Sequence, residues 1–364
     1  MKAAVLREAG APLVIEELEL APPGPEEVRV RLVASGICHS DYSVANGKLR
    51  SPMPVVLGHE GAGIIEEVGP GVDNLAVGDH IVAALTPSCG KCPMCEEGRP
   101  YLCAGMMKAS AASALLDGTT RLKNGDEDVH QLMALGTFAE QMVIPAGSAI
   151  KVSHNAPLDT VCLVGCGVTT GVGAAVNTAK VESGTSVAVI GCGGVGLSII
   201  QGARLQGAAI IIAVDPVEEK RALALSMGAT HVVDPTTEDL AEAVRSLTGK
   251  GVHYAFEALG RQDTIGQCWQ IIRPSGQAVI VGMTSLKDKL DVPVAGFFAE
   301  REFRGSVYGS ATPQTDIPKF VELYQSGELM LDEMITKRIR LEDVNTAFEE
   351  MGRGEGARSV IMYE

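Results

Sequence analysis

The first part of the chain alternates short apolar segments with clusters of glycine and proline. Val28–Val33, Gly63–Val68 and His80–Ala84 are rich in β-branched side chains. Clusters at Pro22–Pro25 and Gly69–Gly71 stand between them. Short apolar runs that are bounded by turn-forming residues are typical of strands. This part of the chain therefore predicts a β-rich domain.

From about residue 168 the pattern changes to strands that alternate with helices. The predicted strands are Ser186–Ile190, Ile210–Val214, His231–Val233, Tyr254–Ala258 and Ala278–Val281, and the predicted helices are Val195–Gln206, Glu218–Met227, Glu238–Leu247 and Thr264–Ile272. This alternation predicts an α/β fold with a doubly wound parallel sheet, the Rossmann arrangement. After about Tyr308 the pattern predicts two helices, Ile317–Ser326 and Leu341–Met351, and a closing strand at Ser359–Tyr363.

Three segments have less regular patterns. Residues 104–136 mix a run of small residues with a polar stretch, and we expect a long lobe or loop with some strand there. Residues 160–179 and 183–203 carry no charge, and each is long enough for a membrane helix of about 20 residues. Their many glycines favour buried strands joined by tight turns. We therefore expect no contact with a membrane.

Composition narrows the possible functions. The chain has 364 residues, 46% of them apolar, which fits two globular domains. Its 45 acidic residues outnumber its 30 lysines and arginines, and the resulting net charge of −15 disfavours binding to nucleic acid. Nine cysteines, an odd number, accompany an N-terminal stretch without a secretory-signal pattern. We therefore expect a cytoplasmic protein with reduced thiols, some of which bind metal.

A glycine-rich turn joins the first strand of the α/β region to its first helix. Gly191-Cys192-Gly193-Gly194-Val195-Gly196 fits the pattern G-x-G-x-x-G. The first glycine permits the tight turn, the second lets the backbone approach a pyrophosphate, and the third lets helix and strand pack closely. Asp215 follows the next strand, where a carboxylate accepts hydrogen bonds from ribose hydroxyls and repels a 2′-phosphate. These features predict a dinucleotide site that prefers NAD to NADP.

Four cysteines lie close together in the sequence with the spacing C-x2-C-x2-C-x7-C. They are Cys89, Cys92, Cys95 and Cys103. Four thiolates can close a tetrahedral shell around one Zn²⁺, and a closed shell is structural because no position is left for substrate. A pair of disulfides and an iron–sulfur cluster are the alternatives. The lack of an export signal counts against disulfides, whereas soft thiolate ligands also suit an iron–sulfur cluster.

Three other residues with metal-binding side chains are far apart in the sequence. Cys38 lies in GICHSD, His59 in GHEG and Cys166 in GCGVTTG. Each residue by itself is more often part of a packed core, which is the interpretation that we adopt for the cysteines at 162, 192 and 268. Together, Cys38, His59 and Cys166 would supply two thiolates and an imidazole, a set that leaves a fourth zinc position open for water or alkoxide.

These motifs occur together in a known family. GICHSD, GHEGAG, the four-cysteine lobe, GCGVTTG, GCGGVG and the closing GARSV resemble the zinc-dependent medium-chain alcohol dehydrogenases, in the same order and over essentially the full length. DGTTRL and GTF resemble the longer-chain, dimeric branch of liver-type and glutathione-dependent formaldehyde dehydrogenases. The resemblance implies a GroES-like catalytic domain at 1–167 with a structural zinc lobe at about 86–105, an NAD-binding Rossmann domain at 168–307, and a return to the catalytic domain at 308–364.

The resemblance also implies roles for single residues. Cys38, His59 and Cys166 correspond to the ligands of a catalytic zinc. The residues that correspond to groups around this zinc are Asp41, which holds the imidazole ligand, Glu60, which lies behind the metal, and Ser40, which takes the substrate proton. The residues that correspond to cofactor contacts are His39 and Arg358 at the pyrophosphate, Asp215 and Lys220 at the adenosine ribose, and Thr170 near the nicotinamide. The residues that correspond to an apolar wall of the substrate pocket are Leu85, Phe138, Met283 and Tyr308.

Two departures from the family pattern affect the expected chemistry. Ser43 replaces the histidine that often ends the proton relay, three residues beyond the serine. The arginine that glutathione-dependent relatives carry after the fourth structural cysteine is missing from Ala104–Lys108, and the loop Asn46–Arg50 lacks their acidic pair. A formaldehyde dehydrogenase that acts on a thiol adduct is therefore disfavoured, although the cations at 48, 50 and 108 could hold another anionic substrate.

The expected function is reversible oxidation of a small-molecule alcohol to an aldehyde or ketone. We expect a homodimer with two Zn²⁺ per chain, in which zinc polarises the alcohol, Ser40 passes the proton outward, and NAD takes the hydride. One alternative is a nicotinoprotein with permanently bound NAD and a second carbonyl or an artificial electron acceptor. Another is a protein that binds zinc and dinucleotide without turnover, and the presence of Cys38, His59 and Cys166 counts against it.

Overall fold

The computed structural model describes residues 1–85, 88–285 and 287–364. The chain divides into two compact units, one formed by Met1–Cys166 with Thr312–Glu364 and the other by Gly167–Ala311. The domain limits that we expected after residues 167 and 307 lie one and four residues from these bounds. Residues 86 and 87, where we expected the zinc lobe to begin, lie outside the described part of the chain.

The described secondary structure runs as follows in chain order. The strands are β1 (Lys2–Leu6), β2 (Val14–Glu17), β3 (Glu19–Leu20), β4 (Glu27–Gly36), β5 (Val55–Val56), β6 (Glu60–Val68), β7 (His80–Ala83), β8 (Leu122–Asn124), β9 (Glu127–Gln131), β10 (Gln141–Pro145), β11 (Ala149–Lys151), β12 (Ser186–Ile190), β13 (Ile210–Val214), β14 (His231–Val233), β15 (Val252–Glu257), β16 (Ile272–Ile280), β17 (Glu302–Gly305), β18 (Ile335–Ile339) and β19 (Arg358–Met362). The α-helices are α1 (His39–Ala45), α2 (Pro93–Glu96), α3 (Ala104–Ala112), α4 (Leu158–Val161), α5 (Gly167–Gly173), α6 (Gly194–Leu205), α7 (Glu218–Ser226), α8 (Leu240–Thr248), α9 (Gln262–Ile271), α10 (Pro313–Gln325) and α11 (Val344–Gly352). A π-helical turn, Ala174–Thr178, follows α5, and short 3₁₀ turns lie at Pro100–Leu102, Leu132–Ala134, Ala146–Ser148, Cys162–Gly165, Val294–Ala299, Tyr308–Ser310, Asp332–Met334 and Leu341–Asp343.

The first unit is built on two sheets. Their strand orders are β2-β1-β5-β9-β8-β3 and β11-β7-β6-β4-β19-β18, and β10 also pairs with β4. Successive side chains of a strand point to opposite faces. Val28, Val30 and Leu32 of β4 are accordingly buried, whereas Arg29 and Arg31 between them reach solvent. This alternation lets β4 carry the core on one face, and the β-rich prediction for this region is confirmed.

The second unit contains one parallel sheet with the strand order β14-β13-β12-β15-β16-β17. All five residues of β12 are buried, as a strand with both faces covered requires. The predicted doubly wound α/β fold is therefore confirmed. The carboxyl ends of its strands form one edge of the sheet, where such folds bind ligands. Glu302–Gly305 adds a strand that the sequence pattern did not predict, because three of its four residues are Glu, Arg and Gly.

Two expectations need correction. Residues 104–136 contain β8 and β9, but they also contain α3, a helix that we did not predict because AGMMKASAA shows no clear apolar face. The expectation of buried strands at 160–179 was wrong, since helical turns fill this stretch. Gly171 explains part of the error: a Cβ there would lie 2.4 Å from Val195 O, so the glycine serves close packing of α5 on α6.

Among the described residues, no single helix is long and apolar enough to cross a membrane. Only the bent pair Leu158–Gly165 and Gly167–Thr178 passes that test, and it does so jointly and by length and composition alone.

Candidate active site

Four potential metal ligands meet in the first unit. Ligand atoms of Cys38, His59, Glu60 and Cys166 all lie within 4.8 Å of one another. The sheet register brings the first three together, because Gly36 at the end of β4 pairs with Glu60 at the start of β6. Cys166 follows the 3₁₀ turn that ends at Gly165, where a Cβ would lie 2.6 Å from Ala83 O. Glycine at this position therefore lets the turn approach the sheet closely.

Asp41 fixes the orientation of His59. Its Oδ1 lies 3.0 Å from His59 Nδ1 and accepts the N–H of Gly58 at 2.9 Å, while Oδ2 accepts the N–H of Cys38 at 3.2 Å. Asp41 and His59 are both completely buried. His59 Nε2 is buried and has no hydrogen-bond partner in the described part of the chain. The ring is thus held by one nitrogen and presents the other toward the cluster.

The electrostatics of the cluster favour a bound cation. Burial lowers the pKa of His59, but the negative charges of Asp41 and Cys38 outweigh it and raise the pKa to about 10. The hydrogen bond from Cys166 and the charge of His59 hold the pKa of the Cys38 thiol well below its usual value, although burial opposes them. A thiolate is the form of cysteine that binds metal. Two thiols and one imidazole with a free nitrogen fit Zn²⁺ in chemistry and in spacing.

A buried ion pair lies beside these ligands. The guanidinium of Arg358 contacts the carboxylate of Glu60, and the two side chains are 5% and 0% exposed. Gly36 leaves room for the pair, since a Cβ there would meet both side chains. The sequence missed this pair: we expected Arg358 at a pyrophosphate, and the structure places its guanidinium against Glu60. Motifs gave no signal for it, because the two residues are 298 positions apart.

The remaining predicted residues of this region lie on or near α1. The hydroxyl of Ser40 is 3.9 Å from Cys38 Sγ and is half-buried. His39 is exposed, and its ring meets that of Tyr42 edge-on at 6.4 Å. Ser43 is half-buried on the same helix. The short helix thus carries Ser40 beside the cluster.

The four-cysteine cluster forms as the spacing predicts. Sulfur atoms of Cys89, Cys92, Cys95 and Cys103 lie within 4.8 Å of one another. Cys92 Sγ is 3.5 Å from Cys95 Sγ and 4.0 Å from Cys103 Sγ, too far for an S–S bond of about 2.05 Å. A tetrahedron of sulfurs around one ion at about 2.3 Å has edges of roughly 3.8 Å, so a single Zn²⁺ fits. An iron–sulfur cluster, which stands between its cysteines, needs more room.

Backbone amides also prepare this cluster for metal. The N–H groups of Cys95 and Ala104 lower the pKa of the Cys92 thiol to about 6. The N–H of Cys89 lies 3.3 Å from Cys103 Sγ. Gly90 turns the chain between two of the ligands with φ of +69°, a conformation that favours glycine. The lobe is therefore arranged locally to hold four thiolates around one ion.

The glycine-rich turn of the second unit has the form that dinucleotide binding needs. Gly191 has φ of +96°, and a Cβ at Gly196 would lie 1.8 Å from Gly191 O. A Cβ at Gly193 would meet nothing within 4 Å, so open space lies above this backbone position. Helix α6 begins at Gly194, and the N-terminus of a helix offers backbone N–H groups to an anion. These residues fit a pyrophosphate.

Asp215 follows β13 and is buried. Its Oδ2 accepts the N–H of Cys192 at 2.8 Å, and its Oδ1 accepts the N–H of Val217 at 2.9 Å. The carboxylate therefore braces the glycine turn from the end of β13. We did not foresee this brace, which depends on a side-chain orientation that no sequence pattern reports. Lys220 on α7 and Thr170 on α5 are both half-buried.

The predicted pocket residues differ in exposure. In the first unit Leu85 is half-buried, and Phe138 has no exposed surface because it packs in the core, against Gly58 among others. In the second unit Met283 is 53% exposed and Tyr308 is buried. Of these four side chains, only those of Leu85 and Met283 expose appreciable surface to solvent.

The whole chain is similar to known alcohol dehydrogenases. Two family models match the chain, the alcohol dehydrogenase GroES-like domain over residues 24–154 and the zinc-binding dehydrogenase over residues 194–326. "Alcohol dehydrogenase B" of Mycobacterium tuberculosis is 39% identical over 371 residues, which cover 100% of this chain and 98% of that protein. "NDMA-dependent alcohol dehydrogenase" of Amycolatopsis methanolica is 40% identical over 367 residues, with 100% and 98% covered.

A solved structure also matches the whole chain. Benzyl alcohol dehydrogenase from Acinetobacter calcoaceticus superposes with a TM-score of 0.95 at 34% identity, over 100% of this chain and 99% of that one. The fold is therefore shared over the full length of the chain. The chain belongs to the zinc-dependent medium-chain alcohol dehydrogenase family and is a zinc-containing enzyme that acts on alcohols.

Proposed function

We propose that this enzyme oxidises small-molecule alcohols reversibly with exchangeable NAD, at a zinc held by Cys38, His59 and Cys166. The observation that carries the proposal is the convergence of these ligands within 4.8 Å around a buried His59 Nε2 without a hydrogen-bond partner in the described chain. Zinc bound by these residues would supply a Lewis acid for the alcohol oxygen, and a bound nicotinamide would supply the hydride acceptor.

The chain's own residues prepare this chemistry. Asp41 holds the His59 ring by Nδ1, so that Nε2 keeps its direction toward the metal. Arg358 pairs with Glu60 and thereby reduces the negative charge beside the metal ligands. Ser40, whose hydroxyl is 3.9 Å from Cys38 Sγ, takes the alcohol proton and passes it outward. Ser43 cannot act as a base near neutral pH, so water ends the relay in place of the family's histidine.

The second unit supports NAD as the cofactor. The open space above Gly193 admits a pyrophosphate, and the negative charge of Asp215 opposes a 2′-phosphate. A specific observation favours a second candidate, the nicotinoprotein: a relative 40% identical to this chain bears the name NDMA-dependent alcohol dehydrogenase. In that case NAD stays bound and a second carbonyl or an artificial acceptor takes the electrons.

One experiment separates these candidates. The purified protein is scanned for reduced-nicotinamide absorbance, and turnover is then measured on a panel of alcohols that includes benzyl alcohol. Added NAD⁺, added NADP⁺ and an artificial acceptor alone are compared. Turnover that depends on added NAD⁺ supports the first proposal, whereas bound nicotinamide with acceptor-only turnover supports the second. Cys38→Ser should abolish turnover, and the matched variant Cys162→Ala, at a buried cysteine of the same unit outside both clusters, should retain it.

We also propose a structural zinc in the four-cysteine lobe, which brings the content to two ions per chain. The sulfur spacing of 3.5–4.0 Å supports it. Thiolate ligands stay reduced in the cytoplasm, which is where we place the enzyme.

We propose that the enzyme is a homodimer. Val294, Phe297 and Phe298 are 73%, 46% and 90% exposed in the segment that precedes β17. That strand is the last of the described sheet, and its outer edge can pair with the same strand of a second copy about a two-fold axis. Light scattering should show that Phe298→Glu is monomeric, while Val77→Glu, at an exposed apolar residue of the other unit, remains dimeric. A dimeric Phe298→Glu would place the interface elsewhere.

A further inference from the structure

The turn at Tyr308–Ser310 in the second unit has an unusual backbone. All three residues are left-handed, with φ of +51°, +63° and +50°. Only Gly309 adopts this conformation without a steric penalty, whereas Tyr308 and Ser310 carry a Cβ that disfavours it. Strained backbone persists where surrounding contacts hold it, and such strain concentrates at functional sites. We therefore expect surrounding contacts to hold the turn, and its strain points to a functional role.

The first set of contacts is steric. Gly309 is seated on α5, where a Cβ would lie 2.4 Å from Thr169 O, 2.8 Å from Gly173 Cα and 2.9 Å from Thr170 O. A Cβ on Gly173 would in turn meet Gly309 O at 2.6 Å. The two glycines thus allow backbone-to-backbone contact. This contact explains why the turn lies close to α5, but not what keeps Tyr308 and Ser310 left-handed on either side.

The second set is a chain of three hydroxyls. Thr178 Oγ1 lies 2.9 Å from Ser306 Oγ and 2.8 Å from Ser310 Oγ, and so bridges the residues on both sides of Tyr308–Gly309. Thr178 is 1% exposed and Ser306 is 8% exposed, so water does not readily substitute for these bonds. A hydroxyl can donate to one serine while it accepts from the other. One side chain therefore closes the loop across the strained turn.

The location of the turn connects it to the reaction. It follows β17 at the carboxyl edge of the parallel sheet, where Ser306 N–H donates to Ile280 O at 2.9 Å. Open α/β sheets bind their ligands at this edge. The turn also rests on the carbonyl of Thr170, a residue that we expect near the nicotinamide. A displacement of the turn would consequently change the surface against which cofactor and alcohol are aligned.

We propose that Thr178 is a positioning residue, whose hydroxyl clamps Ser306 and Ser310 and thereby holds the Tyr308–Ser310 turn in the geometry that the reaction needs. This inference rests on the proposed function, NAD-dependent alcohol oxidation. The proposal gives Thr178 itself no contact with cofactor or substrate. Its effect passes through the turn, and the hydroxyl, not the methyl group, is the part that matters.

The test compares Thr178→Val, which keeps the shape but removes the hydroxyl, with Thr178→Ser, which keeps the hydroxyl. Thr178→Val should lower kcat/KM for the alcohol about 10- to 100-fold, because small misplacements in a site are costly. Thr178→Ser should recover most of this loss. The matched control is Thr185→Val, a buried threonine of the same unit that bonds Glu182 O before the amino end of β12. It should lower the Tm without lowering kcat/KM.

A second measurement is independent of turnover. Hydrogen exchange of the amides at 307–311 should become about tenfold faster in Thr178→Val and remain as in wild type in Thr178→Ser. Wild-type protein without NAD-dependent turnover would refute the proposed function, and this exchange measurement would still decide whether Thr178 holds the turn. Unchanged exchange in Thr178→Val, or a loss of kcat/KM that Thr178→Ser does not restore, would overturn the inference.

Discussion

Removal of Arg358 should destabilise the first unit strongly. Its guanidinium contacts the carboxylate of Glu60, and the two side chains are 5% and 0% exposed. Arg358→Met would remove the guanidinium partner of a fully buried carboxylate. Breaking a buried ion pair by deletion of one partner costs about 3–5 kcal/mol. At about 2–4 °C per kcal/mol for a unit of this size, the Tm should fall by roughly 6–20 °C.

The assay is a double-mutant cycle on zinc-saturated protein, with thermal unfolding followed by circular dichroism and zinc content measured in parallel. Glu60→Gln removes the charge that Arg358 neutralises, so the combination of Glu60→Gln with Arg358→Met should be more stable than Arg358→Met alone. Arg353→Met is the matched control. Arg353 pairs with Glu355 but is 56% exposed, and its replacement should leave the Tm unchanged.

Two other outcomes would contradict a stabilising role for Arg358. If the Tm of Arg358→Met stays within about 2–4 °C of wild type, which corresponds to about 1 kcal/mol, the buried pair does not stabilise the unit and the prediction is refuted. If the loss appears instead as a weaker Kd for NAD at unchanged Tm, Arg358 acts at the cofactor pyrophosphate, as the family resemblance implies. Thermal unfolding and cofactor titration on the same variant therefore distinguish the two roles.

Three further predictions concern the metal, the cofactor and the proton. Cys89→Ser and Cys38→Ser should each lose one zinc by elemental analysis, the first with lower stability and the second with an intact fold but no activity; wild type with one zinc or none would contradict this. Asp215→Ala should raise the NADP/NAD ratio of kcat/KM, and because the carboxylate also braces the turn at Cys192, it should weaken the binding of both cofactors; a wild type that prefers NADP would exclude this role. Ser40→Ala should lower kcat about 10²–10⁴-fold while Ser40→Thr is tolerated. Ser43→Ala should cost little, and a loss as large as that of Ser40→Ala would make Ser43 an essential relay member.

Local patterns were sufficient wherever the structure depends on neighbours in sequence. Ser186–Ile190 and Ile210–Val214 were predicted with the bounds that the structure has, because strands covered on both faces appear as continuous apolar runs. The bounds of the edge strand His231–Val233 were also predicted correctly. The four-cysteine lobe closes within 15 residues, so its spacing alone indicated that four thiols lie close together. The glycine turn was recognised for the same reason, since strand, turn and helix follow one another directly.

Local patterns failed where composition hides the role of a segment. Ala104–Ala112 forms a helix without a clear apolar stripe, and 160–179 is helical although its glycines suggested turns. In the second case glycine serves contact between helices, as Gly171 shows against Val195. A sequence pattern reports that a residue is small, but not which neighbour requires it to be.

Only the tertiary structure decided how the distant residues meet. The sequence named Cys38, His59 and Cys166 as possible ligands, but their convergence depends on the register of β4 with β6 and on the close approach at Gly165. The pairing of Arg358 with Glu60 bridges 298 positions and left no trace in any motif. Local propensities act over a few residues, whereas these contacts arise from packing between elements. Sequence therefore determined the chemistry available to this enzyme, and packing decided which groups share a site.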